Sequence, residues 1–327
     1  MTDLSPTKAY PRDLTGYGKD VPHAQWPGGA KVAVQFVLNL EEGGENNVLH
    51  GDPSSEAFLT EEPTTALVGR RNLNVESQYE YGTRVGFWRL RRLFEERGLP
   101  VTVFGITESL RRNPDLVAAA QESGWELASH SLRWINYAEV DAEVEREHIA
   151  RAVQIHTEVC GQAPLGWYTG RNSENTRRLV VEHGGFLYDS DSFSDDLPYW
   201  VDVDGTAQLV VPYTLDNNDG RYVNTFGFQS ESFSTYLTRA LELLVEEGGD
   251  RPKMMSIGLH LRISGRPGRA ADLRRFLDLV ASHPDVWVAR RADIARHWRT
   301  VHPASAWLPT ATDPLATAEV SSSDLAM

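Results

Sequence analysis

The chain has 327 residues, of which 41% are hydrophobic, enough to fill the core of one large α/β barrel or of two ordinary domains. Its 46 acidic residues outnumber its 32 Lys and Arg residues, and the net charge of −14 argues against nucleic acid or an anionic membrane surface as a partner and favours a small neutral substrate. One cysteine excludes an intrachain disulfide, and the lack of a long apolar run predicts a cytoplasmic protein without a membrane span.

In chain order, the pattern predicts an arm, a long repeating region and a tail. Residues 1–30 are rich in Pro, Gly and Tyr without periodicity and are interpreted as an N-terminal arm. Across residues 31–303, apolar segments such as KVAVQFVLNL, VTVFGI and ELASH alternate with amphipathic ones, which predicts parallel strands joined by crossover helices. Seven or eight such units favour an α/β fold, an irregular (β/α) barrel that forms the catalytic domain. Residues 304–327 have little to bury and are predicted to be a disordered tail.

A long polar stretch, residues 42–81, interrupts this alternation directly after the first strand. It contains GGENNVLHGDPSSEAF, which is too polar for a core and too long for a simple connection. Loops of this length are usually functional or disordered. The stretch is interpreted either as a lid over the site or as a surface insertion used only in subunit contacts.

Polar and aromatic side chains stand where the predicted strands end. The carboxyl ends of parallel barrel strands form one face, and active sites of such barrels lie there, so we expect these residues to converge. Each has a structural alternative when taken singly, because surface Glu, core His and turn Asp are common. The set, in chain order, is Asn39, Glu41, Glu42, His130, Arg133, Trp134, Tyr168, Arg171, Asp189, Asp191, Tyr213, Asp216, His260 and Arg262.

The segment ASHSLRW bears on whether this face holds a metal ion. His130 ends the third predicted strand, and Trp134 stands four residues later, where a metal site would use a second histidine. An imidazole ligates a cation through a ring nitrogen, whereas an indole offers only an N–H donor. We therefore predict chemistry without a metal ion or other cofactor.

Several segments together resemble a known family. VQFVLNLEEGGE, ELASHSLRWINY, LGWYTGRNSENTRRL, FLYDSDSFSDDLPYW and SIGLHLR, in this order, resemble the polysaccharide deacetylase superfamily with NodB homology, carbohydrate esterase family 4. YPRDLTGYG, LNLEEGGE with LHGD, and GWYTGRN resemble its metal-independent, PuuE-type allantoinase branch. The resemblance runs from Tyr10 to Pro303. In metal-dependent relatives a base, a ligand aspartate and two histidines occupy the places that are held here by Asn39, Glu41, His130 and Trp134.

The resemblance implies hydrolysis of the hydantoin ring of allantoin to allantoate, in purine catabolism, by a homo-oligomer that is commonly a tetramer. Opening a ring amide requires a base for water, donors for the oxyanion and an acid for the departing nitrogen. Our hypothesis is that His260, oriented by Asp189 or Asp191, is the general base or acid, and that His130 or Glu41 is its counterpart. The predicted substrate-binding residues are Glu42, Arg133, Trp134, Tyr168, Arg171 and Arg262.

At two places the sequence differs from the usual residues of the allantoinase branch, which leaves the identity of the substrate undetermined. Ser131 and Leu132 replace the usual glycine and tyrosine, and Leu261 and Ser264 lie in a segment that usually reads Cys-Arg-Leu-Ile. Another cyclic ureide or imide is therefore an alternative substrate. The sequence is also compatible with a metal-dependent carbohydrate N-deacetylase and with a non-catalytic small-molecule binder.

Overall fold

The computed structural model describes residues 10–62, 65–221 and 231–316, and within them nine strands form one largely parallel sheet. The strands are Val32–Leu40 (β1), Thr102–Gly105 (β2), Glu126–Ser129 (β3), Gly166–Trp167 (β4), Tyr188–Asp189 (β5), Tyr199–Val203 (β6), Thr206–Val210 (β7), Lys253–His260 (β8) and Val286–Val288 (β9). In this part of the chain no helix is both long enough and apolar enough to cross a membrane.

Helices cover the outer face of the sheet. They are Leu73–Tyr81 (α1), Phe87–Glu95 (α2), Thr107–Arg112 (α3), Pro114–Glu122 (α4), Ala142–Cys160 (α5), Thr176–His183 (α6), Glu231–Glu247 (α7), Leu261–Ser264 (α8), Pro267–Ser282 (α9), Arg291–Val301 (α10) and Ala304–Trp307 (α11). A π-helical turn, Gly82–Gly86, joins α1 to α2.

The order of the strands produces the predicted irregular barrel. The sheet runs β6-β7-β5-β4-β3-β2-β1-β8, and β9 pairs with β1. After β7 the chain returns to β8, where a bridge between Asn218 and Gly258 joins the two sides of the curled sheet. The hairpin partner β6, antiparallel to β7, was not predicted.

Strand β1 shows how the alternation of side chains sets up the site. All nine of its residues are buried. Phe36 and Leu38 belong to the core between sheet and helices, whereas Val37 belongs to a cluster inside the barrel. Because successive side chains of a strand point to opposite faces, Asn39 also points inward. The last inward-facing position of β1 therefore lies beside the carboxyl-end face.

The end of the chain corrects one prediction. Ala304 is buried, Arg299 pairs with Asp313 at 2.5 Å, and Thr312 forms a bridge with Thr206. The disorder predicted for residues 304–327 is therefore wrong for 304–316, because small apolar side chains there still fill a groove against the barrel. Residues 317–327 lie outside the described residues.

Candidate functional site

Three predicted residues meet at the carboxyl ends of β1, β3 and β8. Oε1 of Glu41 lies 3.5 Å from Nε2 of His130 and 3.4 Å from Nε2 of His260. The side chains are almost fully buried, with relative exposures of 2%, 1% and 6%. The convergence that the strand order predicted is present for these three groups, and they form a carboxylate flanked by two imidazoles.

An aspartate that was not singled out in the sequence orients His260. Oδ1 of Asp219 lies 2.6 Å from Nδ1 of His260, and Oδ2 accepts a hydrogen bond from the backbone N–H of His260 at 2.7 Å. The hydroxyl of Ser264 donates to the same Oδ2 at 2.7 Å. Asp219 directly follows the bridge that closes the barrel, so its place beside β8 depends on that long-range pairing. The only local indication was its position in the polar run after QLVVPYT.

The two aspartates that were predicted to orient His260 have other partners. Asp189 forms an ion pair with Arg177 at 3.2 Å. Asp191 accepts hydrogen bonds from the backbone N–H groups of Thr169 and Gly170, at 3.0 and 2.9 Å. The prediction that Asp189 or Asp191 orients His260 is wrong, because both carboxylates hold the loop after β4 and the helix that follows it.

Arg262 brings a permanent cation into the site. Its Nη2 lies 2.8 Å from Oε2 of Glu41, and its Nη1 lies 3.6 Å from Oε1 of Glu42. Its Nε donates to the carbonyl oxygen of Leu59, and its guanidinium lies 4.0 Å from the ring centre of Tyr79. Nη2 is engaged by the Glu41 carboxylate, whereas Nη1 makes no hydrogen bond to the described residues and is available to an oxygen atom of a ligand.

The other two predicted arginines hold the stretch 42–81 in place. Arg133 pairs with Asp52 at 2.5 Å, and Arg171 pairs with Glu56 at 3.2 Å. Both carboxylates belong to that stretch, and Leu59 from the same stretch contacts Arg262. The structure therefore gives Arg133 and Arg171 partners within the chain and places part of this stretch over the site.

Aromatic rings form two walls around the carboxylate and the imidazoles. The ring of Tyr168 lies 4.8 Å from that of His130 and stacks on Phe104. The ring of Trp134 lies 3.7 Å from the guanidinium of Arg171 and 5.5 Å from that of Arg262. Tyr168 and Trp134 are thus both in the site, as predicted from their strand-end positions.

Glu42 lies behind Arg262. Its Oε2 accepts a hydrogen bond from the backbone N–H of Glu41 at 3.0 Å. Its carboxylate fills the space beside Gly82, where a Cβ atom would come within 2.1 Å of Oε1. Burial raises the pKa of Glu42 to about 7, so this acid carries a partial charge near neutral pH.

The charges in the site set the protonation of His260. Burial alone would lower its pKa, but the carboxylates of Glu41 and Asp219 outweigh burial and raise the pKa to about 9. Burial would raise the pKa of Glu41, but Arg262 and His260 hold it well below its usual range. Near neutral pH the site therefore contains an imidazolium at His260 and a carboxylate at Glu41, which makes His260 a proton donor.

The donor set does not fit the metal centre of the metal-dependent deacetylases. Nε2 of His130 and Nε2 of His260 both face the same oxygen of Glu41, and the Arg262 cation lies against the other oxygen. Trp134 supplies an indole where a third ligand would stand. Across the described ranges, no group of three or more His, Cys, Asp and Glu residues has an arrangement suited to a metal ion.

Comparisons with known proteins give consistent results. The sequence profile of the family described as polysaccharide deacetylase matches residues 74–185. A Schizosaccharomyces pombe protein that carries the name of a polysaccharide deacetylase is 44% identical over 316 residues, which covers 90% of this chain and 99% of the relative.

Two solved structures are similar over the same share of the chain. One, from Pseudomonas aeruginosa PAO1 and also described as a polysaccharide deacetylase, has 54% identity and a TM-score of 0.88. The other, PuuE allantoinase, has 52% identity and a TM-score of 0.88. Each comparison covers 90% of this chain and 99% of the solved chain.

Proposed function

The chain belongs to the polysaccharide deacetylase family, and from that premise we propose that it is a metal-independent cyclic amidase that opens the hydantoin ring of allantoin to give allantoate. The observation that carries the proposal is that His130 and His260 share the Glu41 carboxylate. The Arg262 cation lies against the same carboxylate and would repel a metal ion there. The 52% identity to an allantoinase over 90% of the chain supports this choice of substrate.

The arrangement supports acid–base hydrolysis by side chains alone. His130, oriented by Glu41, accepts a proton from water as the water oxygen bonds to the ring carbonyl carbon. Arg262 faces the negative charge that develops on the carbonyl oxygen. The C–N bond then breaks as protonated His260 gives its proton to the departing ring nitrogen. The new carboxylic acid ionises, and both histidines regain their starting protonation from solvent.

The roles of the two histidines follow from their partners. His260 is held by Asp219 and is protonated near neutral pH, which suits the acid. Nδ1 of His130 has no hydrogen-bond partner among the described residues, and its Nε2 faces Glu41. This arrangement suits a base, because the ring can take up a proton and the carboxylate stabilises the resulting positive charge. Trp134 and Tyr168 are suited to hold a flat ring between them.

A substrate panel tests the proposal. The protein, dialysed against a chelator, is assayed by NMR with racemic allantoin, hydantoin, dihydrouracil, succinimide and an N-acetylglucosamine oligomer. We expect ring opening of allantoin at a rate unaffected by chelation, and no release of acetate. Acetate release that disappears on chelation and returns with zinc would instead identify a metal-dependent deacetylase. Turnover of none of these compounds, with binding of a ring compound, would identify a binding protein.

A further inference from the structure

The hydroxyl of Tyr213 lies inside the barrel beside the catalytic cluster and has no part in the hydrolysis steps assigned to His130, His260 and Arg262. Tyr213 follows β7, is 5% exposed, and packs edge-on against Tyr168 at 4.8 Å between ring centres. Tyr168 in turn contacts His130. The phenol therefore lies at the floor of the site, one side chain away from a proposed catalytic imidazole.

Two side-chain amides donate hydrogen bonds to this hydroxyl. Nδ2 of Asn39 donates to the Tyr213 oxygen at 2.8 Å, and Nδ2 of Asn218 does so at 3.4 Å. Asn39 is in register with His260 on the neighbouring strand, which places the Tyr213 hydroxyl close to that histidine. The phenol oxygen thus accepts from two directions.

The orientation of each amide is fixed by a second partner. Nδ2 of Asn39 also donates to the carbonyl oxygen of Leu259 at 3.2 Å, and a carbonyl can only accept. Oδ1 of Asn218 accepts from the backbone N–H of Gly220 at 2.9 Å, so its Nδ2 must face Tyr213. Neither amide can therefore rotate to accept the phenolic proton without losing a bond.

The proton of the Tyr213 hydroxyl is left without an acceptor among the residues that the structure describes. Within residues 10–62, 65–221 and 231–316, both hydrogen bonds of the Tyr213 side chain are ones in which its oxygen accepts. A buried hydroxyl that accepts twice and donates to nothing is costly unless a ligand supplies the acceptor. Burial also raises its pKa, so the phenol keeps its proton at working pH.

We infer that Tyr213 is a further substrate-contacting residue, whose hydroxyl donates its proton in a hydrogen bond to a carbonyl oxygen of the cyclic ureide, and that Asn39 is the residue that positions it. The inference rests on the proposed function and adds a second donor to Arg262. It also gives Asn39 a role. Relatives that use a base at this position need a carboxylate there, whereas here an uncharged amide donates a hydrogen bond to the Tyr213 oxygen and holds the phenol in place.

The variant Tyr213→Phe removes the donor and keeps the ring. We expect kcat/KM for allantoin to fall about 10²-fold, the loss typical of removing one donor to an oxyanion. The matched control is Tyr188→Phe, a buried tyrosine whose hydroxyl donates to Glu126 at 2.8 Å near the amino end of β3. This control should lower the melting temperature and leave kcat/KM within about threefold of wild type.

The variant Asn39→Asp tests the positioning role without changing shape. An aspartate would accept the phenolic proton, so we expect a loss of activity comparable to that of Tyr213→Phe. In the double variant Asn39→Asp/Tyr213→Phe, the loss should be no larger than in Tyr213→Phe alone, because both changes remove the same hydrogen bond. Additive losses would show that the new charge acts directly and would overturn the role of Asn39.

The outcomes separate this inference from the proposed function. A wild-type protein that opens none of the rings refutes the proposed function. A wild-type protein that opens allantoin, with a folded Tyr213→Phe variant that keeps more than half of its kcat/KM, refutes the role of Tyr213 alone. Thermal unfolding of each variant establishes that the comparison is made between folded proteins.

Discussion

At the scale of single residues, the site is organised around one carboxylate oxygen. Oε1 of Glu41 faces both imidazoles, while Oε2 faces Arg262. The second partner of His260, Asp219, raises the pKa of its imidazole together with Glu41. The protonation of the proposed acid is therefore set by residues that follow two other strands, Glu41 after β1 and Asp219 after β7, and no single motif contains all three residues.

The pH dependence of turnover follows from His260. As the acid it must be protonated, so the alkaline limb of the activity profile should fall as the pH rises through a pKa of about 9. Asp219→Asn removes one of the two charges that raise this pKa, and we expect the alkaline limb of the kcat profile to move to lower pH and kcat at its plateau to fall about tenfold or more.

The control for this change is Asp189→Asn, which alters an aspartate that pairs with Arg177. It should leave the alkaline limb where it is in wild type. An unmoved limb in Asp219→Asn would contradict the assignment of His260 as the acid.

The pH dependence of stability follows from the same raised pKa. The interactions of His260 stabilise the fold fully below the ordinary pKa of 6.5 and cease to do so as the pH passes about 9.

At the scale of elements, residues of the stretch 42–81 contact the barrel beside the site. Asp52 and Glu56 from this stretch pair with Arg133 and Arg171 from the barrel rim, and Leu59 contacts Arg262. Leu59 has a φ of 50°, a left-handed conformation that a branched side chain adopts at a cost of about 1–3 kcal/mol. These contacts favour a lid over a stretch used only in subunit contacts.

Glu56→Gln tests the lid. Glu56 is 6% exposed, so losing its charge deprives the half-buried cation of Arg171 of this carboxylate partner. If closure over the substrate depends on this pair, we expect the KM for allantoin to rise about tenfold, together with faster proteolytic cleavage within the stretch 42–81.

Glu61→Gln is the matched control, since Glu61 lies in the same stretch and pairs with Arg269 while its side chain is 38% exposed. Because the Glu61 carboxylate is partly solvated, its charge contributes less to the pair, and KM should change by less than about twofold. Equal effects of the two substitutions would contradict a lid that is specifically held at Glu56.

At the scale of the whole molecule, both ends of the described chain complete the barrel. Trp26 from the arm donates through its indole to the carbonyl oxygen of Lys253, and Tyr17 packs edge-on against Trp307 at 5.2 Å. The segment after α10 thus covers the same side of the barrel as the arm. The homo-oligomer implied by the family resemblance stays a prediction.

Truncation tests the contribution of the terminal segment. A chain that ends at Pro303 loses the buried Ala304, the Arg299–Asp313 pair and the bridge of Thr312 to Thr206. We expect its melting temperature to fall by on the order of 5 °C. A chain that ends at Ala316 keeps these contacts and should melt like wild type in scanning calorimetry. Equal melting temperatures for the two truncations would contradict a stabilising role of residues 304–316.

The sequence by itself determined the class of fold and the face on which the site lies. Alternation along the chain is a local property, and strand order then places Glu41, His130 and His260 at one end of the barrel. The sequence also shows, without a structure, that Trp134 stands where a metal site would use a second histidine, because this depends only on residue type.

Only the tertiary structure decided the partners of these groups. Asp219 reaches His260 because the chain after β7 pairs with β8, and Arg133 and Arg171 meet carboxylates from a stretch with no periodicity. The donor-only surroundings of the Tyr213 hydroxyl depend on two amides that are 179 positions apart in the sequence, Asn39 on β1 and Asn218 after β7. Such pairings depend on how the curled sheet brings segments together that are far apart in the sequence, and local residue patterns do not encode these long-range contacts.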